Sequence, residues 1–421
     1  MTMRFVHPLV ALARALASAP RLALVRPSLN AFLAGYFRKF PATDVGGQLL
    51  LHSHLPPLDS PAYDRFVRVH LLERRRAPSH AQVGVTAACP QRCLVCYNRD
   101  RKGVTLDSLE LQAVISTLVD AGVVWLGLTG GEPLLRSDLP DLVALARGRC
   151  AVKLFTTGMG ATKEVAVRLR SAGLFSVSVS LDHWDRAVHD EGRGYPGAWR
   201  EAVRAVETFL AVDGLHVGIS AVLSREMICR WEVVERVLRF AGELGVHELW
   251  LSESKPAVGS MFEEHLVLRE DERRRIAGWQ DWWNARVRRA GRGVLLNYLS
   301  HFEGAEHFGC NAGRKMIYVD PFGEVSPCVF APVTMGNVRE RPLAAVIADL
   351  WSRFPTEDCC FVNRNWPLVA AASGGCLPLD RAATLAMLDR VRFGGRSAFN
   401  RRYFRGEREE SSVKGQGSRH A

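Results

Sequence analysis

Three cysteines stand on one short stretch, CPQRCLVC, where Cys89, Cys93 and Cys96 are spaced so that a single loop would carry all three thiols. A zinc site usually takes four ligands as two close pairs, and no fourth Cys or His stands at pair spacing here. Disulfide pairing would leave one thiol over. Three thiolates can instead hold three irons of a 4Fe-4S cluster and leave the fourth iron open to another ligand. That pattern favours iron-sulfur over zinc, with a zinc-bound structural protein as the competing reading. Ten cysteines in 421 residues are too few for a disulfide scaffold, and most are clustered, with Cys310 and Cys328 and then Cys359, Cys360 and Cys376 following the first group. Clustered thiols suit metal ligation in a reducing compartment, so a cytoplasmic location is expected. Cys150 and Cys229 stand alone and read as packing residues.

A loop of thiols needs a frame. Short apolar runs fall at 82–87, 123–129, 151–157, 175–181, 216–223 and 247–253, separated by helical patterns near 105–120, 138–147, 161–172, 197–211 and 228–244. Six strands with five intervening helices make an α/β fold with a parallel sheet and right-handed crossovers. Periodicity leaves open whether such a sheet is flat or curled. In either case function belongs at the carboxyl ends of the strands. The polar residues fall there. The cysteine loop follows the first strand and GGEP, 130–133, the second. Thr156 and Thr157 end the third, Ser180 and Asp182 the fourth, and Glu253 and Lys255 the sixth.

With these residues in place the chain resembles the radical S-adenosylmethionine (radical SAM) enzymes, whose CxxxCxxC motif CPQRCLVC matches. The resemblance implies a partial (β/α)6 parallel barrel over 79–255. It further implies a 4Fe-4S cluster on Cys89, Cys93 and Cys96, with SAM bound at the open iron and cleaved reductively to a 5′-deoxyadenosyl radical. Tyr97 would sit near the adenine. Gly130, Gly131, Glu132 and Pro133 would meet the methionyl amino group, with the Glu132 carboxylate accepting from the ammonium. Ser180 and Asp182 would touch the ribose, Arg193 the SAM carboxylate, and residues 217–222 the adenine border. An external electron donor of flavodoxin or ferredoxin type is implied as well. His189, Glu253 and Lys255 stand where substrate could reach. A non-catalytic iron-sulfur sensor or electron-transfer protein would explain the cysteines but not GGEP or the fourth-strand residues.

Beyond the barrel, KMIYVD, PFG and EVSPC read as strand, turn and strand between Cys310 and Cys328. With GNV at 336–338 this resembles the start of a SPASM or twitch extension, a small C-terminal region carrying auxiliary iron-sulfur clusters. The cysteines that remain imply one auxiliary cluster, on Cys310, Cys328 and Cys376 with Cys359 or Cys360. The domain reading is 1–78 as an N-terminal extension, 79–255 as the core, 256–309 as a bridge, 310–389 as the auxiliary region and 390–421 as a basic disordered tail. Within the bridge, Tyr298, His301 and His307 are candidates for substrate contact. His52 and His54 lie outside the barrel and are read as structural.

The net charge of +11 comes from the two ends, while the middle is nearly neutral. Nucleic acid is therefore not an expected partner, because a basic stripe on the core is lacking. No apolar run reaches the about 18 residues that a membrane span needs. At the N-terminus, Phe5, Val6, Leu9, Leu12 and Leu16 form one side of a helical wheel, with Arg4, His7, Arg14 and Arg21 on the other, and Pro20 ends it. The favoured reading docks the apolar side on the protein's own body. The other places the helix on an anionic membrane surface. The substrate, whether peptide, lipid or another small molecule, is not named by these features.

Overall fold

The structure, a computed structural model, describes residues 3–405. Strands run in chain order as β1 (Arg4–Val6), β2 (Ala42–Val45), β3 (Gln48–Leu50), β4 (His80–Thr86), β5 (Trp125–Gly130), β6 (Ala151–Thr156), β7 (Leu174–Ser180), β8 (His216–Leu223), β9 (Glu248–Glu253), β10 (Leu295–Tyr298), β11 (Met316–Val319) and β12 (Val325–Ser326). β4 to β9 pair in parallel and in chain order, each joined to the next through at least one helix. Most of their runs lack alternation because both faces are covered, which is the habit of a parallel sheet; β7 alternates Ser176, Ser178 and Ser180 with Val177 and Val179, yet is buried along nearly its whole length. The crossover helices carry their own punctuation. Ser108–Ala121 opens on an Asp107–Glu110 capping box and closes at Gly122, and Lys163–Ala172 opens on Thr162 and closes at Gly173.

The six expected strands lie where the sequence places them, within two residues, but the sheet does not stop at six. β10, from the bridging segment, extends it beyond β9, and β11 pairs in parallel with β4 at the other side, carrying β12 antiparallel. The strand order β10-β9-β8-β7-β6-β5-β4-β11-β12 leaves two outer edges, so the sheet remains open. The expected hairpin between Cys310 and Cys328 forms, with Tyr318 opposite Ser326. It is also built into the main sheet, which no local pattern shows. One apolar core runs from Ala81 through Leu296 to Val346 and Phe361, so the bridge and the auxiliary region share it with the barrel.

The N-terminal extension forms a second core with the C-terminal residues Phe399, Tyr403 and Phe404. The helix Ala398–Tyr403 supplies these side chains. The expectation of disorder from 390 is therefore corrected as far as 405, since aromatic burial anchors this segment; 406–421 lie outside the described residues. The loop holding His52 and His54 is also relocated. It enters the barrel at the amino ends of the strands, where the Ser53 hydroxyl meets Glu248 and Lys153, and the indole nitrogens of Trp125 and Trp250 donate to the Ser53 carbonyl and hydroxyl at 2.8 and 3.1 Å. Burial lowers the His52 pKa to about 3, so this histidine is a neutral part of a plug.

The N-terminal helix docks on the body as the favoured reading has it, but only part of the expected apolar side faces inward, Val6 and Leu16 packing against the second core while Leu9 and Leu12 do not. It spans Pro8–Ser18, with Phe5 and Val6 in β1, and Pro20 ends it as expected by opening a tight turn. Its buried side is Ala11 and Ala15, continued by Ala19, small enough to approach the second core closely. Arg14, expected to face water, reaches the body and pairs with Asp44 at 2.6 Å and with Asp59. Leu9 is 70% exposed, and Val10 and Leu12 are exposed beside it.

A candidate radical SAM site shared by two groups of thiols

The segment after β4 leaves Thr86 and carries Cys89, Cys93 and Cys96, all half-buried free thiols. Its course is set against the GGEP loop: Gly131 N donates to Thr86 O at 2.6 Å and Glu132 N to Ala88 O at 2.8 Å. Both glycines are required by this approach. Gly130 has φ 127°, and a Cβ at Gly131 would stand 2.2 Å from the Ala88 carbonyl oxygen. Gly131→Ala is expected to push the two loops apart, at about 1–3 kcal/mol for an overpacked contact. Thermal unfolding would show a lower melting temperature, and reconstitution a lower iron content; a variant that melts and loads like the wild type would contradict this fit.

Past the cysteines the loop is tied twice more. The Tyr97 hydroxyl pairs with Thr129 Oγ1 at 2.6 Å, and Asn98 Nδ2 donates to the Gly130 carbonyl at 2.9 Å. From the auxiliary hairpin, Tyr318 donates to Asn98 Oδ1 at 2.7 Å, and Tyr97 meets the Tyr318 ring edge-on. On the other flank Arg92 N donates to the Arg193 carbonyl at 2.9 Å. The Arg193 guanidinium donates to Asp182 Oδ2 at 2.7 Å and approaches Cys93 Sγ at 3.9 Å, while Asp182 Oδ1 accepts from Val222 N at 2.9 Å. Burial opposes the Arg193 charge, but Asp182 and the Cys93 sulfur outweigh it and raise its pKa. Strands β7 and β8 thus hold a cation beside the thiols.

Most of the expected residues meet on one wall. Cys89, Cys93, Cys96, Tyr97, Gly130, Gly131, Ser180, Asp182 and Arg193 all line a single cavity of about 830 Å³. Glu132 and Pro133 do not. The Glu132 carboxylate is fully buried and accepts from Thr156 Oγ1 at 2.6 Å, Thr157 N at 2.6 Å, Thr157 Oγ1 and Leu134 N. The expectation that it accepts from a ligand ammonium is corrected: its lone pairs are taken by the end of β6, and it anchors the loop that Gly130 and Gly131 present. His189 is likewise withdrawn from the cavity, its Nδ1 accepting from Asp182 N at 3.2 Å, and burial lowers its pKa to about 4. Glu253 lines the cavity, but its Oε1 is paired with Arg273 at 3.3 Å and accepts from the Ser300 hydroxyl at 2.7 Å. Tyr298, His301 and His307 do not line the cavity; the two histidine rings pack against each other tilted, with centroids 4.1 Å apart.

The far wall of the same cavity carries Cys310, Cys328 and Cys360. Cys376, expected among these ligands, is exposed and lines no part of the cavity; Cys360, one of the two alternatives for a fourth position, is the thiol that joins Cys310 and Cys328. Lys255, at the end of β9, donates to Cys360 Sγ at 3.1 Å and to Glu303 Oε2 at 2.5 Å. Sequence reasoning missed Glu303 and also Arg101, whose partners lie more than 200 positions away. A charged residue following the third cysteine was the only signal for Arg101.

The donor set fits iron-sulfur chemistry. Burial pushes the Cys89 thiol up to about 11, Cys93 and Glu132 adding to it, and raises Cys96. Ligation must therefore displace protons, as thiolate binding requires. Among the described residues no three Cys, His, Asp or Glu side chains converge to hold one metal ion. Thiols spread round a cavity wall suit a cluster, where each thiolate takes a separate iron.

The comparisons with known proteins agree. The model of the radical SAM superfamily matches residues 83–227, and that of an iron-sulfur cluster-binding domain, SPASM, matches 310–361. The PqqA peptide cyclase of Streptomyces rochei is 30% identical over 336 residues, covering 73% of this chain and 88% of the relative. The AdoMet-dependent heme synthase of Methanosarcina barkeri is 27% identical over 299 residues, 66% of this chain and 84% of the relative. Among solved structures, Streptococcus suis SuiB bound to precursor peptide SuiA superposes with a TM-score of 0.53 at 16% identity over 68% of this chain and 69% of that one. AnSMEcpe with bound AdoMet and Kp18Cys peptide gives 0.50 at 17% identity over 78% and 96%. The chain belongs to the radical SAM superfamily and carries a SPASM region. It is accordingly an enzyme that uses a 4Fe-4S cluster and SAM.

Proposed function

We propose that this radical SAM enzyme acts on a peptide, held in the cavity between Cys89, Cys93 and Cys96 on one wall and Cys310, Cys328 and Cys360 on the other. The observation that carries this reading is the single cavity lined by both groups of thiols. The name of the 30% identical relative, a peptide cyclase, supports the substrate class. Cys89, Cys93 and Cys96 hold the SAM-binding cluster, and the three other thiols contribute to one auxiliary cluster. When bound there and reduced, the cluster with SAM would supply radical chemistry able to remove a hydrogen atom from substrate.

The chain's own contribution is placement. Tyr97, Gly130 and Gly131 form the adenine and methionyl side of the pocket, Ser180 and Asp182 the ribose side, and Arg193 supplies the cation for the SAM carboxylate. The apolar lining from Phe155, Trp250 and Phe330 excludes water from the reacting centre. The test is isotopic. A peptide encoded beside this gene, deuterated at candidate carbons, should pass deuterium into 5′-deoxyadenosine; if every short peptide so encoded leaves the product unlabelled, the substrate class is wrong.

Two surfaces complete the reading. The cysteine loop shows Leu94, 60% exposed, among exposed Arg92, Arg99 and Lys102. An apolar contact inside a basic collar suits an acidic electron carrier of flavodoxin or ferredoxin type. All ten cysteines are free thiols, which agrees with a reducing cytoplasm.

The second surface is N-terminal. No helix among the described residues is long and apolar enough to cross a membrane. Leu9, Val10, Leu12 and Leu24, however, are exposed together with Arg4, Arg21 and Arg26. This face fits peripheral contact with an anionic bilayer. Phosphatidylglycerol vesicles should co-sediment the protein. The double variant Leu9→Glu, Leu24→Glu should bind at least about tenfold more weakly, since each leucine contributes about 1.5–3 kcal/mol when buried; equal binding by both proteins would remove the membrane from the account.

A further inference from the structure

Three thiolates leave one iron of a four-iron cluster without a protein ligand. Cys310, Cys328 and Cys360 reach the cavity from three different segments, and the groups that could supply a fourth donor are those beside them. Cys376 is exposed. Cys359 does not line the cavity, and its sulfur turns toward the Cys360 carbonyl at 3.9 Å. Glu357, beside them in sequence, gives its carboxylate to Arg364 at 2.6 Å and also stays outside the lining.

Glu303 is different. It follows the short helix Leu299–Phe302, lines the cavity, and shares one ammonium with a thiol of the group, because Lys255 Nζ donates both to its Oε2 at 2.5 Å and to Cys360 Sγ at 3.1 Å. Backbone also prepares this wall for sulfur, since Phe361 N donates to Cys310 Sγ at 3.5 Å.

We propose that the auxiliary cluster is ligated by the thiolates of Cys310, Cys328 and Cys360 and by the carboxylate of Glu303, with Lys255 as the adjacent counter-cation. This rests on the reading that these thiols hold one cluster. A carboxylate donates less charge to iron than a thiolate does, so the Glu303 corner is the weakest bond of the four. Loss of that ligand releases one iron and leaves three held by cysteine.

The test uses the full chain with Cys89, Cys93 and Cys96 changed to Ala, so that only the auxiliary site loads. After anaerobic reconstitution, iron, acid-labile sulfide and the electron paramagnetic resonance spectrum are recorded. This parent should hold about four irons. Adding Cys376→Ser should change nothing. Adding Glu303→Gln should lower the content to about three irons and produce the signal of an oxidised 3Fe-4S cluster, whereas Glu303→Cys should restore four irons, separating ligation from folding. A loaded parent whose iron content and spectrum are unmoved by Glu303→Gln, or which loses its cluster on Cys376→Ser, overturns the ligand assignment alone. A parent that binds no iron overturns the auxiliary cluster itself.

Discussion

Alanine at Cys89, Cys93 and Cys96 together is expected to abolish SAM cleavage, with 5′-deoxyadenosine at background and iron reduced to the auxiliary share. Each thiolate holds one iron, and without them no cluster can present an open iron to SAM. The variant should still fold. The loop is fastened by groups other than sulfur: Tyr97 to Thr129, Asn98 to Gly130, and Arg92 to Arg193. The three thiols are only half-buried, so their truncation removes little packing. An unchanged circular dichroism spectrum with no product would show that chemistry alone is lost. Retained cleavage would place the SAM cluster elsewhere.

The second large effect is structural. Arg101 and Asp320 pair at 3.0 Å with side chains 2% and 1% exposed, joining the cysteine loop to the turn of the auxiliary hairpin. Arg101 also donates to Ser326 Oγ and to the Ala331 carbonyl, each at 3.2 Å, and lies over the Tyr318 ring. Burial outweighs the guanidinium at Asp320 and raises its pKa, so the pair is costly and its value lies in register. Arg101→Ala leaves the buried aspartate without its counter-charge, with only Phe322 N and Glu324 N still donating to its Oδ1, at a cost of about 3–5 kcal/mol. A lowered melting temperature is the expected readout. The double variant Arg101→Met, Asp320→Asn should recover part of the lost stability, because it removes the unpaired charge while the Asn Oδ1 can still accept from Phe322 N and Glu324 N. If the single and double variants melt alike, the buried pair is not the tie between the two thiol groups.

What the sequence made legible follows from how local each signal is. Strands β4 to β9 are continuous apolar runs between helical periods, so their positions could be read directly. CPQRCLVC and GGEP carry their chemistry in adjacent residues. The strand pairings β4 with β11 and β9 with β10 depend on contacts across long loops, and no window of sequence contains them. The Arg101–Asp320 and Lys255–Glu303 pairs were hidden for the same reason. Glu132 shows a subtler limit. The motif gives the residue, but only the donors at the end of β6 reveal that its carboxylate turns inward. At the N-terminus the wheel was right in part: Val6 and Leu16 do pack inward, but Phe5 and Val6 belong to a strand, and the helix seats itself on Ala11 and Ala15, whose small side chains let it approach more closely than leucines would.

The central claim, that the loop of Cys89, Cys93 and Cys96 supports SAM cleavage in the shared cavity, is tested most directly by quantifying 5′-deoxyadenosine. The wild-type chain is reconstituted anaerobically with iron and sulfide, reduced with dithionite and incubated with SAM, beside the triple alanine variant. The account predicts product from the wild type alone. Equal product from both chains, or a fully loaded wild type that neither binds nor cleaves SAM, would contradict it.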